Sequence, residues 1–331
     1  MGILLGLFPV LLFLAALLYM DSYKLISLTA VLVTIGVGAG AALLALLLNT
    51  WLMGTLRVDW TLYARYCAPV IEELLKASFL LYLLKANKIG FPVDAAVRGF
   101  AIGAGFALVE NLYYLHLRPD ASPYLWVIRG FGTALMHGGA TAIVGILSKE
   151  TMDRLRKPRV VVILPGLLVA VILHSFFNHF LLNPLLSTVL VLVLLPIVIL
   201  FVYRRSEQST RDWLGVGFDS DQTLLEMITT GILSETKIGA YLHSVQDRFP
   251  GETVADMLCY LRLHLELSIQ AKGMMIMREA GFEVPVDKDL KERFDELHYL
   301  ERSIGKTGEL ALHPFLHNRR KDLWQITTLE T

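Results

Sequence analysis

With 331 residues, 55% of them hydrophobic, and a mean hydropathy of +0.56, the chain is too apolar for an ordinary soluble enzyme. Its net charge of zero hides a division: 16 Lys and Arg stand against 9 Asp and Glu up to Arg205, and 14 against 21 from Ser206 onward. A basic membrane part (+7) is therefore followed by an acidic part (−7). The two cysteines, Cys67 and Cys259, do not make a disulfide framework, and no basic stripe with interleaved aromatics points to nucleic acid.

In chain order, the N-terminal run MGILLGLFPVLLFLAALLYM has no basic n-region and no convincing small-residue cleavage site. It reads as a retained membrane helix. Seven stretches meet the need for about 20 apolar residues per spanning helix: 3–20, 25–48, 63–84, 95–115, 124–147, 160–182 and 185–203. The polar stretch from Asn49 to Trp60 suits a membrane interface. The seventh stretch has no functional polar group and reads as a lipid-facing anchor. The expectation is an all-α, polytopic bundle over 1–205, its core at about 60–182, followed by a helical soluble domain over 206–331.

Basic residues in short loops set the orientation. Alternate loops hold Lys24; Lys85 and Lys88; Lys149, Arg154, Arg156, Lys157 and Arg159; then Arg204 and Arg205, whereas the opposite set holds only Arg57 and Arg118. The N-terminus is thereby expected outside and the C-terminal domain in the cytoplasm. In that domain helices are expected at 224–233, at 235–249 with Ser234 as N-cap, at 253–280 with Gly281 as the stop, and from Asp287 to about Ile304. Beyond Gly305 an irregular tail is expected. With no nucleotide loop and no metal-ligand spacing, the domain reads as regulatory, docking to a cytoplasmic partner or self-associating.

Ionisable groups at bilayer depth are costly and mark function. The third span carries Glu72-Glu73-Leu74-Leu75-Lys76. One Glu and one Lys would make a bundle-holding ion pair, and the second Glu is surplus to that role. The fourth span carries Phe106 through Glu110-Asn111. Arg98 and Arg129 are the candidate partners of Glu110, but Arg98 lies roughly 18 Å along the helix. Gly99 and Gly103 form a small-xxx-small face, expected to bring Glu110 against the third span. His137 in the fifth span would, alone, be a packing residue. In the sixth, His174 and Asn178 share a face at i,i+4, while His179 falls toward the outer interface; a His–Asn interhelical bond is the bland alternative. The depths of Glu72/Glu73, His137 and His174 agree within roughly 8 Å, so convergence is expected.

EExxK, FxxxEN, a mid-span His and HxxxN, in this order on consecutive helices, resemble the PrsW intramembrane proteases, which group with CAAX prenyl endopeptidases and bacteriocin-processing proteins. The resemblance covers roughly 60–182. It implies that Glu72 and Glu73 are the catalytic glutamate pair, that Glu110 stands where the CAAX branch has His, and that His137, His174 and Asn178 complete the motifs. Residues 206–331 have no assigned counterpart. The implied activity is hydrolysis of a peptide bond in or just outside the bilayer. In PrsW itself the substrate is a membrane-bound anti-sigma factor.

Amide hydrolysis needs an activated water and oxyanion stabilisation. Glu72, or its neighbour Glu73, is the candidate base; His174 would position the water and Asn178 donate to the oxyanion. Lys76, Glu110, Asn111 and His137 support them. Glu110, His137 and His174 would also make a three-ligand zinc site with an open position. The residues favour the metal-free version slightly, since Glu–Glu and His–Asn already supply a base and a donor. The rival classes are an ion or proton transporter, for which no internal repeat speaks, and a ligand-sensing signalling protein.

Overall fold

The computed structural model describes residues 2–20, 26–155, 160–232, 237–246, 248–282, 289–312 and 314–316. The chain forms two compact units, Met1–Glu207 and Gln208–Thr331. Lys24, Arg156, Lys157, Arg159, Ser234, Glu235 and Asp287, used above for orientation and helix starts, lie outside the described residues.

The first unit contains α1 (Gly2–Met20), α2 (Leu28–Leu56), α3 (Trp60–Leu62), α4 (Ala68–Lys85), α5 (Pro92–Leu117), α6 (Pro123–Val127), α7 (Ala134–Leu155) and α8 (Leu164–Asn178). π-Helical turns at Tyr63–Cys67 and Ile128–Thr133 lead directly into α4 and α7. Helix α9 spans Pro184–Thr229, its first part belonging to the first unit and its last to the second.

Six helical stretches are long and apolar enough to cross a membrane among the described residues: Gly2–Met20, Leu28–Leu56, Pro92–Leu117, Pro123–Leu155, Val160–Asn178 and Pro184–Thr229. The chain is a multi-pass membrane protein. The expected third span is not among the six, because Glu72, Glu73, Lys76 and Lys85 fall within the 18 residues of α4. Two boundaries also differ from expectation. Helix α2 continues past Asn49 to Leu56, and Thr50 and Thr55 satisfy their hydroxyls within it on Leu46 O and Trp51 O. It stops where Arg57 turns left-handed, φ 54°, with its N–H on Met53 O. The sixth span ends four residues early, at Asn178, before Phe180 takes φ 52°.

Helix α5 is the centre of this unit; Ala95, Ala96, Phe100, Ala101, Ile102 and Ala104 are all fully buried. Small residues make that possible. A Cβ on Gly103 would come within 2.3 Å of His137 O, and one on Gly105 within 2.0 Å of Ile35 O. The small-residue face of α5 therefore receives α7, not the EExxK helix, and it is His137 that this approach delivers. Backbone atoms cannot step aside as a flexible side chain can. Gly103→Val should force α5 from α7 at a cost of ~1–3 kcal/mol or more, read as a lower midpoint of thermal unfolding in detergent; an unchanged midpoint would contradict the packing.

The second unit is helical: the end of α9, α10 (Lys237–Gln246), α11 (Gly251–Glu279) and α12 (Leu290–Leu312). Tyr260, Leu261 and Leu267 of α11 meet Phe294, Leu297 and Leu300 of α12 in its core, with Leu224, Leu225 and Ile228 of α9 packed against them. Lys272 is buried there on Asp221 Oδ2 at 2.5 Å, which also accepts Ser268 Oγ at 2.8 Å. The segment expected to end near Ile304 does break at Gly305, φ 62°. The residues beyond it are not irregular: they resume a helix to Leu312, which is buried against the same core.

Candidate active site

Glu72, Glu73 and Lys76 sit one turn into α4, Glu110 and Asn111 on α5, His137 on α7 and His174 on α8. The His137 and His174 rings meet edge to face with centroids 4.7 Å apart. Carboxylates and an ammonium surround this pair.

The two glutamates have different surroundings. Glu73 is fully buried, with Oε1 2.5 Å from Lys76 Nζ and 2.9 Å from His174 Nδ1. Its Oε2 is buried with no hydrogen-bond partner, the kind of orphan a water or an ion satisfies. The side chain of Glu72 is 14% exposed. Its Oε1 accepts from Asn49 Nδ2 at 3.2 Å, and its Oε2 faces His174 Nε2 across 3.8 Å.

Partner chemistry assigns the histidine tautomers in their neutral forms. Glu73 only accepts, so His174 donates from Nδ1 and turns the Nε2 lone pair toward Glu72. Lys76 only donates; its Nζ lies 3.1 Å from His137 Nδ1, so that nitrogen accepts. His137 Nε2 then donates to Glu110 Oε2 at 3.1 Å. Lys76 Nζ also sits 4.6 Å from the centre of the Phe106 ring, which favours a desolvated cation.

Glu110, with 27% of its side chain exposed, pairs with Arg129 Nη2 at 3.3 Å. Arg129 comes from the second π-helical turn. It stacks on Tyr114 at 3.7 Å and donates from Nε to Asn111 Oδ1 at 2.9 Å, while Asn111 Nδ2 donates to Gly6 O. Arg98 is taken by Asp94, 2.7 Å away. Of the two candidate partners of Glu110, Arg129 is the one that reaches it.

Asn178 Nδ2 donates to Ala64 O at 2.9 Å and Ser175 Oγ to Arg65 O at 2.6 Å. These bonds tie α8 to the first π-helical turn, where carbonyls are released from the regular ladder. His179 donates to Ser175 O and edges against Tyr66, apart from the cluster. Glu72, His137 and His174 bring one ligand atom each to within 4.8 Å of one another. The expected metal set shares His137 and His174 with this group, while Glu110 stands behind His137. Asn49, Tyr63 and Ser175 were not singled out from the sequence. Asn49 is the one amide side chain in the otherwise apolar α2, which is a readable signal. The reach of Tyr63 depends on the π-helical turn, which hydropathy does not mark.

No curated protein and no solved structure matches the chain. A family model described as PrsW family intramembrane metalloprotease matches residues 27–203. That stretch is more than half of the chain and contains every residue of the cluster, and the chain therefore belongs to the PrsW family of intramembrane proteases.

Proposed function

We propose that this protein hydrolyses a peptide bond of a membrane-anchored protein, with Glu72 as the reacting carboxylate. The observation that carries the reading is the unequal pair: Glu73 is closed off by Lys76 and His174, whereas Glu72 is partly exposed and faces His174 Nε2, the nitrogen without a proton in the tautomer assigned above. A separation of 3.8 Å between Glu72 Oε2 and His174 Nε2 lets one water hydrogen-bond to both. Glu72 takes a proton from that water as it attacks the scissile carbonyl, and returns it to the amide nitrogen as the C–N bond breaks and the amine leaves. Glu73 holds His174 in the tautomer that accepts from the water. Asn178 uses one amide hydrogen on Ala64 O; an oxyanion role would draw on the second.

The convergence within 4.8 Å favours a second reading, in which Glu72, His137 and His174 would hold a divalent ion. Two imidazoles and a carboxylate match the donor set of catalytic zinc, and Glu73 accepts from the other nitrogen of His174, as a carboxylate does behind a metal-bound histidine. His137 has one nitrogen on Lys76 and one on Glu110, so it would release one of them to bind. Bound there, the ion would polarise the carbonyl and acidify a water.

The loop charges support an N-terminus outside and residues 206–331 in the cytoplasm, with α4 as the additional crossing. The substrate is then a membrane protein such as an anti-sigma factor, cut toward the outer side, and 206–331 dock a cytoplasmic partner or a second copy. The wider grouping with CAAX proteases rests on the motif order alone. The test is cleavage of a fluorescent single-span reporter in proteoliposomes, with and without exhaustive chelation, beside zinc analysis. Loss of cleavage in folded His174→Ala is expected. Full activity in that variant would refute the peptidase site, and undiminished cleavage after chelation would remove the ion.

A further inference from the structure

Glu72 is oriented from outside the helices that carry the four motifs. Its Oε1 accepts from Asn49 Nδ2 at 3.2 Å, and Asn49 Oδ1 accepts from Tyr63 OH at 3.0 Å. Donor and acceptor chemistry fixes this order. A carboxylate only accepts, so the amide must turn its NH2 to Glu72 and its carbonyl to Tyr63, whose hydroxyl must then donate. Asn49 belongs to α2, and buried Tyr63 opens the first π-helical turn.

Glu73 has a buried ammonium to hold it. Glu72 has a neutral amide instead, which orients a carboxylate without cancelling its charge. With Oε1 fixed by Asn49, the other oxygen is the one presented to His174 Nε2. The π-helical turn that supplies Tyr63 also supplies the carbonyls that receive Ser175 and Asn178 of α8. One irregular turn thus touches both sides of the reacting pair: Glu72 through Tyr63 and Asn49, and His174 through its neighbours on α8.

We propose that Asn49 and Tyr63 are positioning residues of the peptidase, Tyr63 setting the Asn49 amide and Asn49 setting the Glu72 carboxylate. The inference rests on the reading of Glu72 as the reacting carboxylate, whether it serves as base or as ligand. It makes an ordered chain, Tyr63 to Asn49 to Glu72, in which the first member acts only through the second.

The experiment compares wild type, Asn49→Leu, Tyr63→Phe, the double variant and Glu72→Gln, all as full chains in proteoliposomes with the single-span reporter. Asn49→Leu should lower kcat about 10-fold and Tyr63→Phe about threefold, with KM unchanged. The double variant should be no worse than Asn49→Leu, because Tyr63 has nothing left to orient. A packing role would give independent, additive losses, and such additivity overturns the proposal. So does full kcat in Asn49→Leu while Glu72→Gln is inactive. Wild-type cleavage by Glu72→Gln removes the reading of Glu72 itself, a distinct outcome. A second readout needs no turnover: the dipolar contact between the isotope-labelled Asn49 amide nitrogen and Glu72 carboxyl carbon in bilayers. It should be present in wild type and weaker in Tyr63→Phe, and its absence in wild type overturns the proposal with any reporter.

Discussion

Glu72→Gln should lower turnover of a single-span reporter by about 10²–10⁴-fold, the usual worth of a positioned general base, and leave the protein folded. Both halves follow from the surroundings of the side chain. Among the described residues no Lys or Arg forms an ion pair with Glu72; it meets Asn49 at 3.2 Å and His174 at 3.8 Å. The amide of Gln keeps the shape and can still accept from Asn49 through its carbonyl oxygen. What it cannot do is take a proton from water. The unfolding midpoint should therefore stay close to wild type while kcat collapses. Near-normal turnover in Glu72→Gln would sink the assignment, and a collapse accompanied by a large loss of stability would make Glu72 a structural group.

Much of this site was legible from residue type and order. Carboxylates and imidazoles at bilayer depth are too costly to be accidental, and Glu72, Glu73, His137 and His174 do meet. What the sequence left open was which neighbour each group would choose. The Gly99–Gly103 face could have received any helix; it received α7, because His137 O and Thr141 O stand where Cβ atoms would be. That choice put His137 between Lys76 and Glu110. The expected third span was harder to read. Its apolar length is real, but its first five residues are a π-helical turn and its helix carries four charges. Hydropathy marks depth and composition but not this turn, which precedes Pro69; Pro69 has no N–H for the carbonyls of Arg65 and Ala64, and Ser175 and Asn178 bond them instead. The apolar run of α9 ends near Tyr203, so the sequence pattern alone divides it into a span and a separate helix at 224–233.

Lys76→Met should be the most destabilising single change at the site, by about 3–5 kcal/mol, the range for removing one partner of a buried ion pair. Lys76 and Glu73 are both fully buried, 2.5 Å apart. Without the ammonium, the Glu73 carboxylate keeps only His174 Nδ1, and its Oε2 already has no partner. His137 Nδ1 loses its donor at the same time. Glu73→Gln alone strands the ammonium, though less severely, because the amide oxygen can still accept from it. The double variant Glu73→Gln/Lys76→Met removes both charges and should be more stable than Lys76→Met, since a neutral pair in an apolar site has far less solvation to lose. Activity should not follow stability in that rescue. A Gln at 73 can present its NH2 to His174 and reverse the tautomer, turning the proton on Nε2 toward Glu72. The double variant should therefore be folded and yet slower by about 10–100-fold, the scale for losing the carboxylate that orients a functional histidine. Thermal unfolding in detergent reads the first effect and reporter turnover the second. A double variant no more stable than Lys76→Met would show that the pair is not held by its charges, and full turnover in the double variant would show that Glu73 does not set His174.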